Sequence, residues 1–460
     1  MSEQERTATL LQDAARRGIA YRQSSGERSV APQEDALRNV SRFIEPLPEQ
    51  GTADEEVLAL LDDVGSPATM AMAGRRFFGF VIGGSLPVTV ASNWLSTAWD
   101  QNVVMHEVTP ATATLEQVAI EWLTDLLGLP ETTGAGFVTG ATVANFTALA
   151  AARHRVLAAV DWNVEADGLI GAPPVTVIVS DEAHPTLFKS LGMLGLGRDR
   201  VVRVPTDCQG RMIAAELPDI SGPTIVCTQA GNINTGAFDP IVEVCKAVKP
   251  HGAWVHVDGA FGLWAAASPS HRYLTDGMEQ ADSWATDAHK WLNVPYDSGI
   301  AFVAQPADLA ASMAITADYL ITDTEHRNPS DYTPELSRRG RGIDVWAALR
   351  SLGRTGVEHL VDRCCQHARR FAQGFAEAGF EILNDVVLNQ VLVSFGDDAA
   401  TRRVIDAIQR DGTCWCGATV WHGKTAMRIS VSSWATTGDD VEKSLRAMIP
   451  IARRLAKSPV

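Results

Sequence analysis

Two short apolar runs in the chain each end in ionisable groups. Trp254-Val255-His256-Val257 leads to Asp258 and then to the small residues Gly259 and Ala260. Ser283-Trp284-Ala285-Thr286 leads to Asp287-Ala288-His289-Lys290. Short β-branched and aromatic runs read as buried parallel strands. A carboxylate or an amine at the end of such a strand is costly unless something pairs with it. Lysine is also scarce: there are seven, at positions 189, 246, 249, 290, 424, 443 and 457, against 32 arginines. Lys290 has the most apolar, tryptophan-rich neighbours of the seven. A desolvated amine beside positive charge has a lowered pKa and attacks carbonyl carbon more readily. The competing reading is a core aspartate and a surface lysine that serve structure alone, since charges at strand ends are common.

Other stretches could serve the same chemistry. Thr139-Gly140-Ala141-Thr142 opens a helical pattern. Small residues and a hydroxyl at a helix N-terminus cradle a phosphate through backbone N–H groups and the dipole, although Thr142 could equally be only an N-cap. Gly134-Ala135-Gly136 is not a dinucleotide fingerprint, because the next glycine falls at 140 and no acidic ribose partner is evident. His184 follows a strand pattern in Asp181-Glu182-Ala183-His184-Pro185. Arg428 sits inside a strand pattern, Ala426-Met427-Arg428-Ile429-Ser430, and needs either an internal ion pair or a carboxylate ligand. His251 and His256 match no helix face and no zinc pattern, so they read as structural and no metal is expected.

The segments HVDGAFG and ADSWATDAHKWLNVPYDSG together resemble the group II pyridoxal-phosphate-dependent amino-acid decarboxylases, relatives of the aromatic-amino-acid, glutamate and histidine decarboxylases. The resemblance runs with gaps from about Phe77 to about Ser433. It implies fold type I, in which a mostly parallel sheet forms a large α/β domain beside a smaller C-terminal α+β domain. It also implies that Lys290 carries pyridoxal 5'-phosphate and that Asp258 pairs with the ring nitrogen. By the same resemblance, Ala141, Thr142 and His289 lie at the phosphate, and His184 stacks on the ring and meets the substrate carboxylate. Asn232, Ala260 and Asp287 are further cofactor contacts. Phe80 and Val81 lie over the substrate side chain, and Arg428 meets its carboxylate. Tyr332, or alternatively Tyr319, protonates Cα on a loop. Two departures stand out: Val143 replaces a frequent glutamate, and Asn232 replaces a threonine.

The expected reaction is decarboxylation of an L-amino acid to its amine and CO2, with the apolar loop Phe77–Ile82 suggesting an apolar or aromatic side chain. Another pyridoxal carbon–carbon lyase or an aminotransferase would use the same Asp–Lys pair, and a catalytically silent binding protein would keep only the fold. A cysteine desulfurase is disfavoured, because no cysteine lies between Cys245 and Cys364.

The surrounding elements must position these groups. Helical spacing marks 7–17, 32–43 and 53–64 near the N-terminus. From about Thr133, strand patterns at 136–139, 175–179, 201–204, 224–227, 254–257, 283–286 and 300–303 alternate with helical ones, including 143–159, 185–194, 212–217 and 241–248. Ligands on such sheets bind at the carboxyl ends of the strands. From about Arg341, four helical patterns surround strands at 380–383, 391–394 and 426–431. The expected division is a helical segment at 1–105, a cofactor domain at 106–340 and a small domain at 341–460; the resemblance implies that the first segment wraps a partner subunit, while its helical pattern alone fits a cap on its own domain equally well.

The chain has 460 residues, is 46% hydrophobic and carries a net charge of −16, which disfavours nucleic acid and anionic membrane as partners. No apolar run is long enough to span a bilayer, and no signal pattern opens the chain. Seven scattered cysteines suggest reduced, cytoplasmic thiols, and the resemblance implies a homodimer acting on a small-molecule amino-acid substrate.

Overall fold

The computed structural model describes residues 2–315 and 326–456. The chain divides into two compact units: residues 1–82, 370–382 and 392–460 form one, and residues 83–369 and 383–391 form the other.

The larger unit is built on a seven-stranded sheet: β1 (Gly134–Val138), β2 (Thr176–Ser180), β3 (Val202–Val204), β4 (Thr224–Gln229), β5 (Trp254–Asp258), β6 (Ser283–Asp287) and β7 (Gly299–Val303). Its spatial order is β1-β7-β6-β5-β4-β2-β3. The pairs from β6 through β3 are parallel, and β7 runs antiparallel to both of its neighbours. Every residue of β1, β4, β5, β6 and β7 is buried. These strands are covered on both faces, which is why their sequences run apolar rather than alternating.

The helix Ala141–Ala158 lies across this sheet. Its small residues Ala144, Ala148, Ala151 and Ala152 are almost wholly buried in a core that also holds Val177, Val179, Ile225, Cys227, Ala285 and Ala301. Alanine on that face lets the helix axis approach the sheet closely, so its first turn arrives at the strand ends. Elsewhere in this unit, Glu116 and Arg338 form a fully buried bidentate ion pair, with both N–O distances 2.7 Å.

The smaller unit contains a four-stranded sheet ordered β10-β11-β9-β8: β8 (Glu381–Ile382), β9 (Gln390–Ser394), β10 (Gly417–Trp421) and β11 (Lys424–Ser430). The first two residues of β9 are assigned to the larger unit. β10 was not apparent from the sequence because its first four residues are alternately half-buried and exposed, only Trp421 is buried, and it lacks an apolar run. It is joined to β11 by His422 and Gly423, both in the left-handed region (φ 46° and 78°), as a two-residue hairpin turn requires.

The N-terminal helix Glu3–Ser24 starts with a capping box between Ser2 and Glu5. The rest of the N-terminal segment is stitched to the C-terminal residues of the same unit. Val30 N–H donates to the Gly412 carbonyl (2.8 Å), Phe78 N–H donates to the Trp415 carbonyl (2.8 Å), and Arg76 pairs with Asp440 at 3.2 Å.

One expected helix is absent. Residues 212–217 contain only a single 3₁₀ turn, Ala214–Glu216. Met212 N–H is bonded to Asp239 Oδ1 (2.7 Å), which holds that residue in an extended bridge to Thr206, and Pro218 limits the stretch on its other side.

Removing one partner of a buried pair leaves an uncompensated charge. Glu116→Ala is expected to destabilise the protein by roughly 3–5 kcal/mol in denaturant unfolding. An unchanged unfolding midpoint would show that the pair is dispensable.

Candidate active site

The carboxyl ends of β4, β5 and β6 and the N-terminus of the Ala141–Ala158 helix enclose a cavity of about 350 Å³ in the larger unit. Asp258 is the last residue of β5 and is 5% exposed. Its Oδ2 accepts from Asn145 Nδ2 (3.1 Å) and its Oδ1 from the Ala260 N–H (3.3 Å). Burial raises its pKa, whereas His184, Lys290 and the Asn145 bond favour the charged form.

Asp287, the last residue of β6, joins the other cavity groups. Its Oδ1 accepts the Ala141 N–H at 2.6 Å and its Oδ2 lies 3.0 Å from Lys290 Nζ. One carboxylate thus ties the lysine to the helix N-terminus, where the dipole favours negative charge. His289 Nδ1 accepts from the Ser298 N–H (3.1 Å), so its proton resides on Nε2, 3.5 Å from Asp287 Oδ1. Burial lowers the pKa of His289, and its ring stacks on Tyr296 with centroids 4.3 Å apart. Space at Gly140 is tight: a Cβ there would stand 3.1 Å from His289 Cε1 and 3.3 Å from Asp287 Oδ1, so those side chains would have to give way. His184 caps the helix Pro185–Met193, its Nδ1 accepting from the Thr186 N–H (3.3 Å), and it lines the cavity.

Of the residues expected at the site, Ala141, Thr142, His184, Asp258, Ala260, Asp287, His289 and Lys290 all line this cavity. Asn232 does not. Its Oδ1 accepts from the N–H groups of Asn234 (2.8 Å) and Thr235 (3.2 Å), and its Nδ2 donates to Gln229 Oε1 (3.0 Å). The amide is used within its own loop, and Gln229, Gly231 and Ile233 face the cavity instead. Tyr332 is also outside the lining. It packs against the sheet core with the Arg327 guanidinium 4.1 Å from its ring centre. Tyr319 lies outside the described residues.

Phe80, Val81 and Arg428 belong to the smaller unit. Phe80 and Val81 both adopt left-handed backbone (φ 55° and 59°). Phe80 is exposed and stacks on Trp415 at 5.5 Å, whereas Val81 is fully buried. Burial in β11 draws the Arg428 pKa down to about 10.

Sequence reasoning did not single out Asn145, which bonds Asp258, and read His256 as structural. His256 and Asp258 sit two apart on one strand, and that spacing puts their side chains on the same face. The spacing was therefore a readable signal.

These residues fit pyridoxal phosphate. The helix N-terminus offers amides to a phosphate, Gly140 lines the cavity beside His289 and Asp287, Lys290 would supply the amine, and Asp258 would serve as the acceptor for a ring nitrogen. The bound cofactor's ring supplies an electron sink for a breaking bond at Cα. A mostly parallel sheet with this lysine and carboxylate at its strand ends defines a pyridoxal-phosphate enzyme of fold type I.

Comparison with known proteins narrows the class. The profile described as the pyridoxal-dependent decarboxylase conserved domain matches residues 51–396. The L-2,4-diaminobutyrate decarboxylase of Rhizobium meliloti (strain 1021) is 28% identical over 446 residues, which is 91% of this chain and 86% of that protein. The acidic amino acid decarboxylase GADL1 of Bos taurus is 29% identical over 322 residues, 67% of this chain and 61% of that protein. In fold, the crystal structure of Oryza sativa TDC with PLP and tryptamine superposes with a TM-score of 0.91 at 21% identity, covering 98% of this chain and 99% of that one. The chain belongs to the pyridoxal-dependent decarboxylase family. It is a carboxy-lyase that uses pyridoxal phosphate to decarboxylate an amino acid.

Lys290→Ala should leave the circular-dichroism spectrum unchanged while abolishing the visible band of lysine-bound cofactor and reducing CO2 release to background. A variant that keeps the band would place the cofactor on another lysine.

Proposed function

We propose that the substrate is an L-amino acid with an uncharged side chain, apolar or aromatic. The relatives do not decide this by name, since they include diaminobutyrate and acidic-amino-acid decarboxylases as well as an L-tyrosine/L-DOPA decarboxylase of Lophophora williamsii. The supporting observation is the cavity lining. Among the described residues no arginine lines it, and its carboxylates Asp258 and Asp287 are both engaged by neighbouring groups. An acidic side chain would need a cation, and a second amine would need an unengaged carboxylate, because unpaired buried charge is expensive. Ile233 and Phe261 offer apolar surface instead.

In this reading Lys290 would hold the cofactor through its amine. Asp258 would hold the proton on the ring nitrogen. The first-turn amides of the Ala141–Ala158 helix, with His289, would hold the phosphate, and His184 would pack on the ring and orient the substrate. Because Tyr332 is held under Arg327 and away from the lining, it is not assigned as proton donor to the cavity of its own chain.

We also propose a cytoplasmic homodimer. The support is that Leu11, Ile44, Leu47, Trp94 and Trp99, all within the first 105 residues, are exposed and are apolar side chains of the kind a subunit interface covers. None of the seven cysteines is in a disulfide, and no helix among the described residues is long and apolar enough to cross a membrane.

Two measurements test these readings. In a panel of L-amino acids, CO2 release should be fastest with aromatic or aliphatic substrates and at least about tenfold slower with glutamate, aspartate and diaminobutyrate. A preference for any of those three would overturn the side-chain assignment. Light scattering of the holoenzyme should give twice the mass of the chain, and the mass of one chain would refute the dimer.

A further inference from the structure

A continuous hydrogen-bond chain runs through the buried sheet to Asp258. Trp254 Nε1 donates to Ser283 Oγ (2.8 Å). Ser283 Oγ lies 2.8 Å from His256 Nδ1, and His256 Nε2 lies 2.9 Å from Asn145 Oδ1. Asn145 Nδ2 donates to Asp258 Oδ2 (3.1 Å). All five side chains are buried, with Ser283, His256 and Asn145 at 0% exposure.

The polarity of this chain is forced from both ends. An indole N–H only donates, so Ser283 accepts from Trp254 and its own proton is left for His256 Nδ1. A carboxylate only accepts, so Asn145 turns its NH2 to Asp258 and its oxygen to His256. His256 must therefore carry its single proton on Nε2. Burial holds its pKa down to about 3, so the ring stays neutral, in one tautomer, at any physiological pH. Placement follows from the fold: His256 is paired in register with Ser283 across β5 and β6, and Asn145 sits at the start of the helix whose N-terminus meets Asp287.

We propose that His256 and Asn145 are positioning residues for the cofactor, fixing the rotamer and favouring the ionised form of Asp258. The proposal rests on the reading of Asp258 as the ring-nitrogen partner. Neither residue touches the reacting atoms. Asn145 delivers an N–H to the carboxylate, and His256 locks the amide so that it cannot flip and present oxygen to oxygen. Supporting groups of this kind orient the groups they contact. The same helix would thus hold the phosphate at its first amides and the ring's carboxylate through Asn145, so both ends of the cofactor are referred to one rigid element.

The test is the dissociation constant of pyridoxal phosphate for apoprotein variants, read by absorbance alongside thermal melting. Asn145→Ala and His256→Leu should each weaken cofactor binding by about tenfold and shift the visible band. His256→Gln, which keeps an N–H to offer Asn145, should recover most of that loss. If Asn145→Ala and His256→Leu bind cofactor like the unsubstituted protein and only melt earlier, the network is structural and the proposal fails. Asp258→Asn serves as the reference. If it too binds and turns over normally, the reading of Asp258 is what has failed. If the buried variants do not fold, long-range 1H–15N spectra of the histidine-labelled protein decide instead. His256 should remain the neutral Nε2–H tautomer from about pH 5 to 8, and a titrating ring or an Nδ1–H tautomer would overturn the proposal.

Discussion

The arrangement depends on keeping one carboxylate, Asp258, almost wholly buried at the edge of the cavity. A bare charge at the end of a fully buried strand would neutralise itself by taking up a proton. Here His184 and Lys290 favour the charged form, and Asn145 and the Ala260 N–H supply hydrogen bonds. Burial pulls the carboxyl toward its neutral form while these neighbours pull the other way. That tension is useful, because an acceptor with little competing solvation binds a protonated ring nitrogen more strongly than a hydrated one.

The rest of the larger unit follows from that constraint. Parallel strands bring three carboxyl ends together, and each contributes a different function at its tip: Gln229 on β4, Asp258 on β5 and Asp287 on β6. The alanine-lined helix rests low enough on the sheet for its first N–H to reach Asp287. Gly140 permits the close passage of His289. A larger residue at Gly140 would crowd His289 and the Asp287 carboxylate, which holds Lys290 and the helix N-terminus together.

Much of this was legible in the sequence because it depends on local patterns. The two apolar runs became β5 and β6, and the ionisable groups at their ends became neighbours in space. The Thr139–Thr142 turn opened the helix as its small residues suggested. What was not legible depends on contacts between segments far apart in the chain. The role of Asn145 requires a helix to be laid over a strand more than a hundred residues away. Asn232 looked like a ligand contact, but its loop closes tightly enough to consume its amide. Residues 212–217 have helical composition, yet a bond to Asp239 holds Met212 extended. β10 is half exposed, so it carries no apolar signature.

The most direct test of the account is to reduce the protein–cofactor mixture with borohydride, digest it and locate the pyridoxyl group by mass spectrometry. Seven lysines compete for the label. The account predicts stoichiometric modification of Lys290, suppressed when Asp258 is replaced by alanine. A label on another lysine, or no label, would contradict it.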